Sequence, residues 1–133
     1  MPSVSTHLMF QGDANPAIEL YSKIFKDFNI LSITKYGEED PQSAGMVKLA
    51  KVDFAGQSIF IIDSPISHAF EFTPSVSLFV EFEEEEIFRA AFDALAEKGK
   101  ILMPLDNYGF SEKFVWVTDR FGVSWQLSLG TVR

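Results

Sequence analysis

The 133-residue chain contains no cysteine. That excludes disulfides, thiolate nucleophiles and cysteine-based zinc sites. Histidine is scarce too, with only His7 and His68. A catalytic metal site needs about three protein ligands and a vacancy, so imidazoles alone cannot build one here. Basic residues are few, 11 Lys and Arg against 19 Asp and Glu, for a net charge of −8. Nucleic acid demands clustered cations to displace phosphate counterions, so no nucleic-acid partner is expected. An anionic membrane surface is disfavoured on the same ground. No apolar run approaches a transmembrane length, and MPSVSTHLMF has neither the basic start nor the long apolar core of a signal peptide. A cytoplasmic protein with no membrane partner is expected. The Gly-x-Ser-x-Gly turn that exposes a nucleophilic serine is also missing, which removes a Ser–His–acid triad.

What is present is apolar. Hydrophobic residues make up 47% and aromatics 14%, including 14 Phe. This lies far from the composition of disordered chains and is enough for a core of one domain, or of two small modules sharing one. Residues 7–10 read as a strand. Asn15 as N-cap and Pro16 at the first helical position then open a helix, with a stripe of Ala17, Leu20, Tyr21, Ile24, Phe25 and Phe28. Residues 29–36 are β-like, and 46–54 with 58–63 form a hairpin around Ala55-Gly56-Gln57.

After a Pro-flanked connector the pattern restarts. Residues 76–82 alternate as a strand. Glu83 to Glu86 open a helix with a stripe of Ile87, Phe88, Ala91, Phe92, Leu95 and Ala96, and Lys98-Gly99 suit its end by the dipole and the left-handed C-cap. Residues 101–103 are a strand, and two more, Lys113–Thr118 and 123–129, meet at Asp119-Arg120-Phe121-Gly122. In the last strand Val123, Trp125, Leu127 and Leu129 alternate with Ser124, Gln126 and Ser128, which predicts one buried face and one facing water or a ligand. Phe114 is assigned with the buried set. The order is βαβββ twice, with an offset of about 70 residues. The fold class is therefore α+β, two βαβββ modules whose mixed sheets form a cup with helices outside. The boundaries are 4–64, a linker at 65–74, and 75–130, within a single domain spanning 1–133.

HLMFQGDANPAIELYSKIF, FTPSVSLFVEF and above all MPLDNYGFSEKFVWVTDRFGVSWQL resemble the PhnB-like branch of the vicinal oxygen chelate (glyoxalase/bleomycin-resistance) superfamily. The resemblance covers nearly the whole chain. It implies the paired βαβββ fold and a homodimer. In the metalloenzymes of the superfamily it further implies a divalent ion held by His, Gln or Glu from the first and last strands of each module. Carried over, the first-strand position falls on Thr6 or His7, its match in the second module on Ser77, the last-strand position on Gln126, and a fourth on Asp63. Ser77 is a poor zinc ligand and Gln126 an amide in place of a carboxylate. No cofactor is expected, and if a metal binds, His7, Gln126 and Asp63 would hold it. The family is also labelled as a 3-demethylubiquinone methyltransferase. A conventional S-adenosylmethionine site needs a doubly wound sheet with a Gly-rich turn, and Gly12 stands alone.

The site residues expected to line a substrate pocket are His7, Ser77, Tyr108, Lys113, Trp116 and Gln126, with Glu81, Ser124 and Ser128 as further polar groups. Lys113 and Arg120 also read as surface cations paired with Glu112 or Asp119, and His68 as a solvated connector residue. The leading expectation is a metal-independent module binding an unknown small molecule. The alternative is a divalent-metal-dependent lyase or dioxygenase of the glyoxalase type.

Overall fold

The first strand of each half pairs with the last strand of that half, not with its sequence neighbour. β1 (Thr6–Phe10) is followed by α1 (Ala14–Ile24), β2 (Phe28–Lys35), β3 (Val47–Phe54) and β4 (Gln57–Asp63). The sheet order is β1-β4-β3-β2, with β1 parallel to β4 and the other pairs antiparallel. The second half repeats this with β5 (Leu78–Phe82), α2 (Glu85–Ala96), β6 (Lys100–Asp106), β7 (Lys113–Thr118) and β8 (Ser124–Leu129), in the order β5-β8-β7-β6. A parallel pair needs a crossover connection, which the helix and two further strands provide. The structure is a computed structural model describing residues Met1–Arg133. It divides into two units, Met1–Ala69 and Phe70–Arg133, one per βαβββ module. No helix is long and apolar enough to cross a membrane.

In the first module α1 begins one residue before Asn15, with Asp13 at the N-cap position and no side-chain cap of its own. The cap comes from elsewhere in the chain. Asp63, fully buried at the end of β4, accepts from Gly12 N and Ala14 N through Oδ1 (2.9 and 3.0 Å) and from Val47 N through Oδ2 (3.0 Å). Pro16 sits within the first turn, where its missing N–H has no intrahelical partner to lose. The buried helix residues are Ala14, Ala17, Ile18 and Tyr21. Ile18 thus takes a place in the buried stripe, while Leu20 and Ile24 are only half-buried. The β3–β4 turn is Ala55-Gly56, both at positive φ (51° and 93°), the two-residue geometry that matches strand twist.

In the second module α2 buries Phe88, Ala91 and Leu95, and Ile87 is exposed. The left-handed residue after α2 is Lys98 (φ 61°), not Gly99. Glycine is required at 99 for another reason: a Cβ there would lie 2.1 Å from the Thr118 carbonyl oxygen. The β7–β8 turn is organised by Asp119, which is buried. Its Oδ1 accepts from Phe121 N (2.8 Å) and Val123 N (3.0 Å), and its Oδ2 from Trp125 Nε1 (2.9 Å). Gly122 takes φ 92°, which glycine adopts at no steric cost.

Register assigns the faces of each sheet. Phe82 packs edge-on against Phe88 of α2 (5.7 Å), so β5's even-numbered residues face the helix. Their partners Trp125, Leu127 and Leu129 share that side, as do Val115 and Val117 opposite Leu127 and Trp125. All five partners are buried, and they form the core under α2. The opposite, helix-free side carries Phe79 and Glu81, then Ser124, Gln126 and Ser128, then Phe114, Trp116 and Thr118. Phe114 therefore stands on the same side as the polar set, opposite Ser128, and not with the residues under the helix.

Candidate functional site

The helix-free face of β5–β8 brings three of the expected site residues into one hydrogen-bonded chain. Trp116 Nε1 donates to Ser124 Oγ (2.8 Å), Ser124 and Ser77 share a hydroxyl–hydroxyl bond (2.6 Å), and Gln126 Nε2 donates to Ser77 Oγ (3.2 Å). Ser124 is 2% exposed and forms the buried link, while Ser77, Trp116 and Gln126 are half-buried at the surface of the sheet. Strand pairing places Phe79 directly beside Gln126, Gln126 beside Trp116, and Trp116 beside Met103. The row is an amide between two aromatic rings.

Beside it lies an aromatic cluster centred on Phe114, which is buried by Phe79 (6.1 Å, stacked), Phe110 (4.9 Å) and Tyr108 (5.8 Å, edge-on). Tyr108 donates its hydroxyl to Pro104 O (2.6 Å), so it contributes its ring and keeps no free hydroxyl hydrogen. Phe79 and Phe114 are not among the expected site residues. The signal for them was available: two-residue alternation from Ser77 reaches Phe79, and from Trp116 reaches Phe114.

Of the other expected residues, Glu81 and Ser128 stand on this face without joining the chain, while Lys113 and His7 lie elsewhere. Lys113 alternates to the helix side and pairs with Glu85 at the start of α2. Arg120 pairs with Glu97 (3.3 Å). Neither uses Glu112 or Asp119. Ser128 is fully buried, bonded to Ser111 Oγ (2.6 Å) and donating to Gly130 O (2.9 Å), and so offers nothing to a ligand. His7 is exposed on β1 of the first module, in a row with Phe60 and Lys51.

The two modules can be matched residue by residue, because Thr6–Phe10 pairs with Ile59–Asp63 just as Leu78–Phe82 pairs with Trp125–Leu129. The counterpart of His7 is then Phe79, and that of Gln126 is Phe60. Ser77 corresponds to Ser5, not to Thr6 or His7. The match is supported by side chains, since Ser5 Oγ bonds Ser58 Oγ (2.7 Å) as Ser77 bonds Ser124. First-strand and last-strand positions on the helix-free faces thus hold one imidazole, one amide and two phenyl rings.

Asp63 cannot complete a metal set with His7. It lies on the α1 side of its sheet, three residues from Phe60, and both its oxygens are held by backbone N–H groups. No group of three His, Asp or Glu side chains is arranged to hold a metal ion. This donor set does not fit a catalytic divalent ion. His68 is half-buried, its Nε2 2.9 Å from Ser64 Oγ. Ser64 Oγ also donates to Ile66 O (3.0 Å) and accepts from Ile66 N, the contacts of a serine that closes a turn.

Residues 2–128 match the family described as 3-demethylubiquinone-9 3-methyltransferase. Protein YjdN of Escherichia coli (strain K12) is 28% identical over 141 residues, spanning 95% of this chain and 94% of that protein. Among solved structures, a putative 3-demethylubiquinone-9 3-methyltransferase, PhnB protein, from Bacillus cereus is 44% identical with a TM-score of 0.90, covering 97% of this chain and all (100%) of that one. A glyoxylase/bleomycin resistance protein/dioxygenase domain from Frankia sp. EAN1pec is 15% identical with a TM-score of 0.67 over 98% of this chain and 93% of that one, a likeness of fold.

Proposed function

The chain belongs to the PhnB-like family of the vicinal oxygen chelate (glyoxalase/bleomycin-resistance) superfamily, and from that premise we propose that it binds a small organic molecule on the helix-free face of β5–β8 without metal catalysis. The observation that carries this is the chain Trp116–Ser124–Ser77–Gln126, which fixes an amide between two aromatic rings on a half-buried surface. Apolar and aromatic walls with a few convergent polar groups are the usual composition of a small-molecule site. Methyl transfer, which the family description names, is not part of the proposal. The strand orders β1-β4-β3-β2 and β5-β8-β7-β6 are not a doubly wound sheet, and no Gly-rich turn follows β1.

The metal-free reading is supported by the donors themselves, with phenyl rings at two of the four strand positions and Asp63 engaged elsewhere. Elemental analysis of purified protein is expected to find well under one divalent ion per chain. About one tightly held ion per chain, lost in His7→Ala, would replace the proposal with the metal-dependent lyase or dioxygenase reading. Binding itself is tested by a broad fragment library followed through the indole N–H resonance of Trp116. If no compound shifts it, the small-molecule reading fails.

The expected homodimer belongs to the same proposal. Large apolar side chains are exposed on the outer strands, Leu31 at 68% on β2 and Ile101 at 51% on β6, a feature that suits burial against a second copy. Sedimentation giving a monomer at micromolar concentration would remove the dimer.

A further inference from the structure

The helix-free face of β5–β8 is uncharged along its middle row and charged only toward its ends. The middle row runs Phe79, Gln126, Trp116, Met103. On one side of it lie Ser124, Thr118 and Lys100. On the other lie Glu81, Ser128, Phe114 and Asp106. Lys100 is exposed on the outermost strand, two strands from β8, so it stands roughly 10 Å to the side of Gln126 at ordinary strand spacing. Glu81 has one oxygen occupied by Val132 N (2.8 Å). Lys113, the cation nearest in sequence, faces α2. An incoming molecule therefore meets two aromatic rings and one primary amide.

The amide is fixed and only half used. One Nε2 hydrogen goes to Ser77 Oγ, whose position is set in turn by Ser124 and by the Trp116 indole. The second Nε2 hydrogen and the Oε1 carbonyl oxygen have no protein partner. With the hydrogen trans to Oε1 on Ser77, the remaining N–H and Oε1 lie side by side, and such a pair is complemented by the edge of a cyclic amide. The flanking Phe79, 46% exposed and stacked on Phe114 on one side, and the half-buried Trp116 offer aromatic surface to a flat molecule. A carboxylate or phosphonate would give up hydration to face ring π-clouds and a carbonyl lone pair, in a chain of net charge −8.

We infer that this face takes an uncharged, flat ring system carrying a lactam-type edge, its N–H on Gln126 Oε1 and its C=O on Gln126 Nε2, with the ring against Trp116 and Phe79. The inference deepens the small-molecule reading and rests on it.

The test uses four bicyclic probes: quinolin-2-one, quinoline-2-carboxylate, N-methylquinolinium and 1-naphthylphosphonate. The chain has two Trp and hence two indole N–H resonances, and Trp116→Phe identifies which belongs to the site. Quinolin-2-one is expected to shift the Trp116 signal saturably and to bind at least about tenfold more tightly than each charged probe. Gln126→Leu is expected to weaken it by about tenfold, with the buried Trp125 signal and the thermal transition reporting an intact fold. Equal or tighter binding of any charged probe overturns the lactam assignment while the small-molecule reading stands. So does Gln126→Leu binding quinolin-2-one as well as the parent chain. If neither these probes nor the broad library moves the Trp116 signal, the small-molecule reading falls and this inference with it.

Discussion

Across the helix-free face of the first module the central row reads His7, Phe60, Lys51, Ser32; across the second it reads Phe79, Gln126, Trp116, Met103. The backbone pairing is the same, and so is the serine clasp that ties the start of each first strand to the last strand, Ser5 to Ser58 and Ser77 to Ser124. The row beside the clasp has diverged completely. In the second module Trp116 extends the clasp into a four-residue chain that fixes Gln126. In the first, Lys51 takes the place of Trp116 and lies over the Phe60 ring (5.9 Å), a cation on an aromatic face with no amide to orient. The comparison separates what the fold repeats from what it does not: the clasp is common to both modules, the row is particular to each.

The buried carboxylates diverge in the same way. Asp63 closes the first module by capping α1 from the end of β4, where the second module has Leu129. The second module places its carboxylate in the β7–β8 turn as Asp119. Each accepts three N–H bonds. Asp63→Ala or Asp119→Ala strands three donors and is expected to cost roughly 3–5 kcal/mol, read by chemical denaturation. A loss below about 1 kcal/mol in either would show that the two modules are not both held by these carboxylates.

Smaller effects probe the clasp. Ser77→Ala breaks a network and is expected to cost about 1–2 kcal/mol, against about 0.5–1 kcal/mol for Ser5→Ala, which removes a single hydroxyl pair. Equal losses in parallel melts would mean that the Trp116 and Gln126 links add nothing to stability. The smallest effect is expected at Lys113→Met. The pair with Glu85 is solvent-exposed (side chains 38% and 59% accessible), so a change within about 0.5 kcal/mol is expected. A larger loss would mean that the start of α2 depends on this ion pair in a way that α1, capped by Asp63, does not.

Much of the fold was legible because its signals are local. Alternation, helix stripes and turn residues identified both βαβββ halves, and Asp119 and Gly122 act in their turn as their chemistry predicts. Of the site, Ser77, Trp116 and Gln126 were legible and do come together. Lys113, expected in the pocket, pairs with Glu85 of α2, and Phe114 is buried as expected but on the side of the polar set. Lys113 lies three residues from Trp116 on one strand and therefore points to the opposite side, while Phe114, two residues away, points the same way. Ser128 was read as facing a ligand because it is polar, yet a buried hydroxyl needs only a partner, and Ser111 supplies it.

The sequence by itself determined the elements, their order and the family, because periodicity, turn chemistry and a long matching segment are all properties of neighbours along the chain. Tertiary structure alone decided which residues stand side by side across strands. Register sets His7 against Phe60 and Gln126 between Phe79 and Trp116, and it places Asp63 under α1, away from His7. A one-residue slip would turn every side chain of a strand to the other face. That sensitivity is why the chemistry of this face could be read only once the strands were paired.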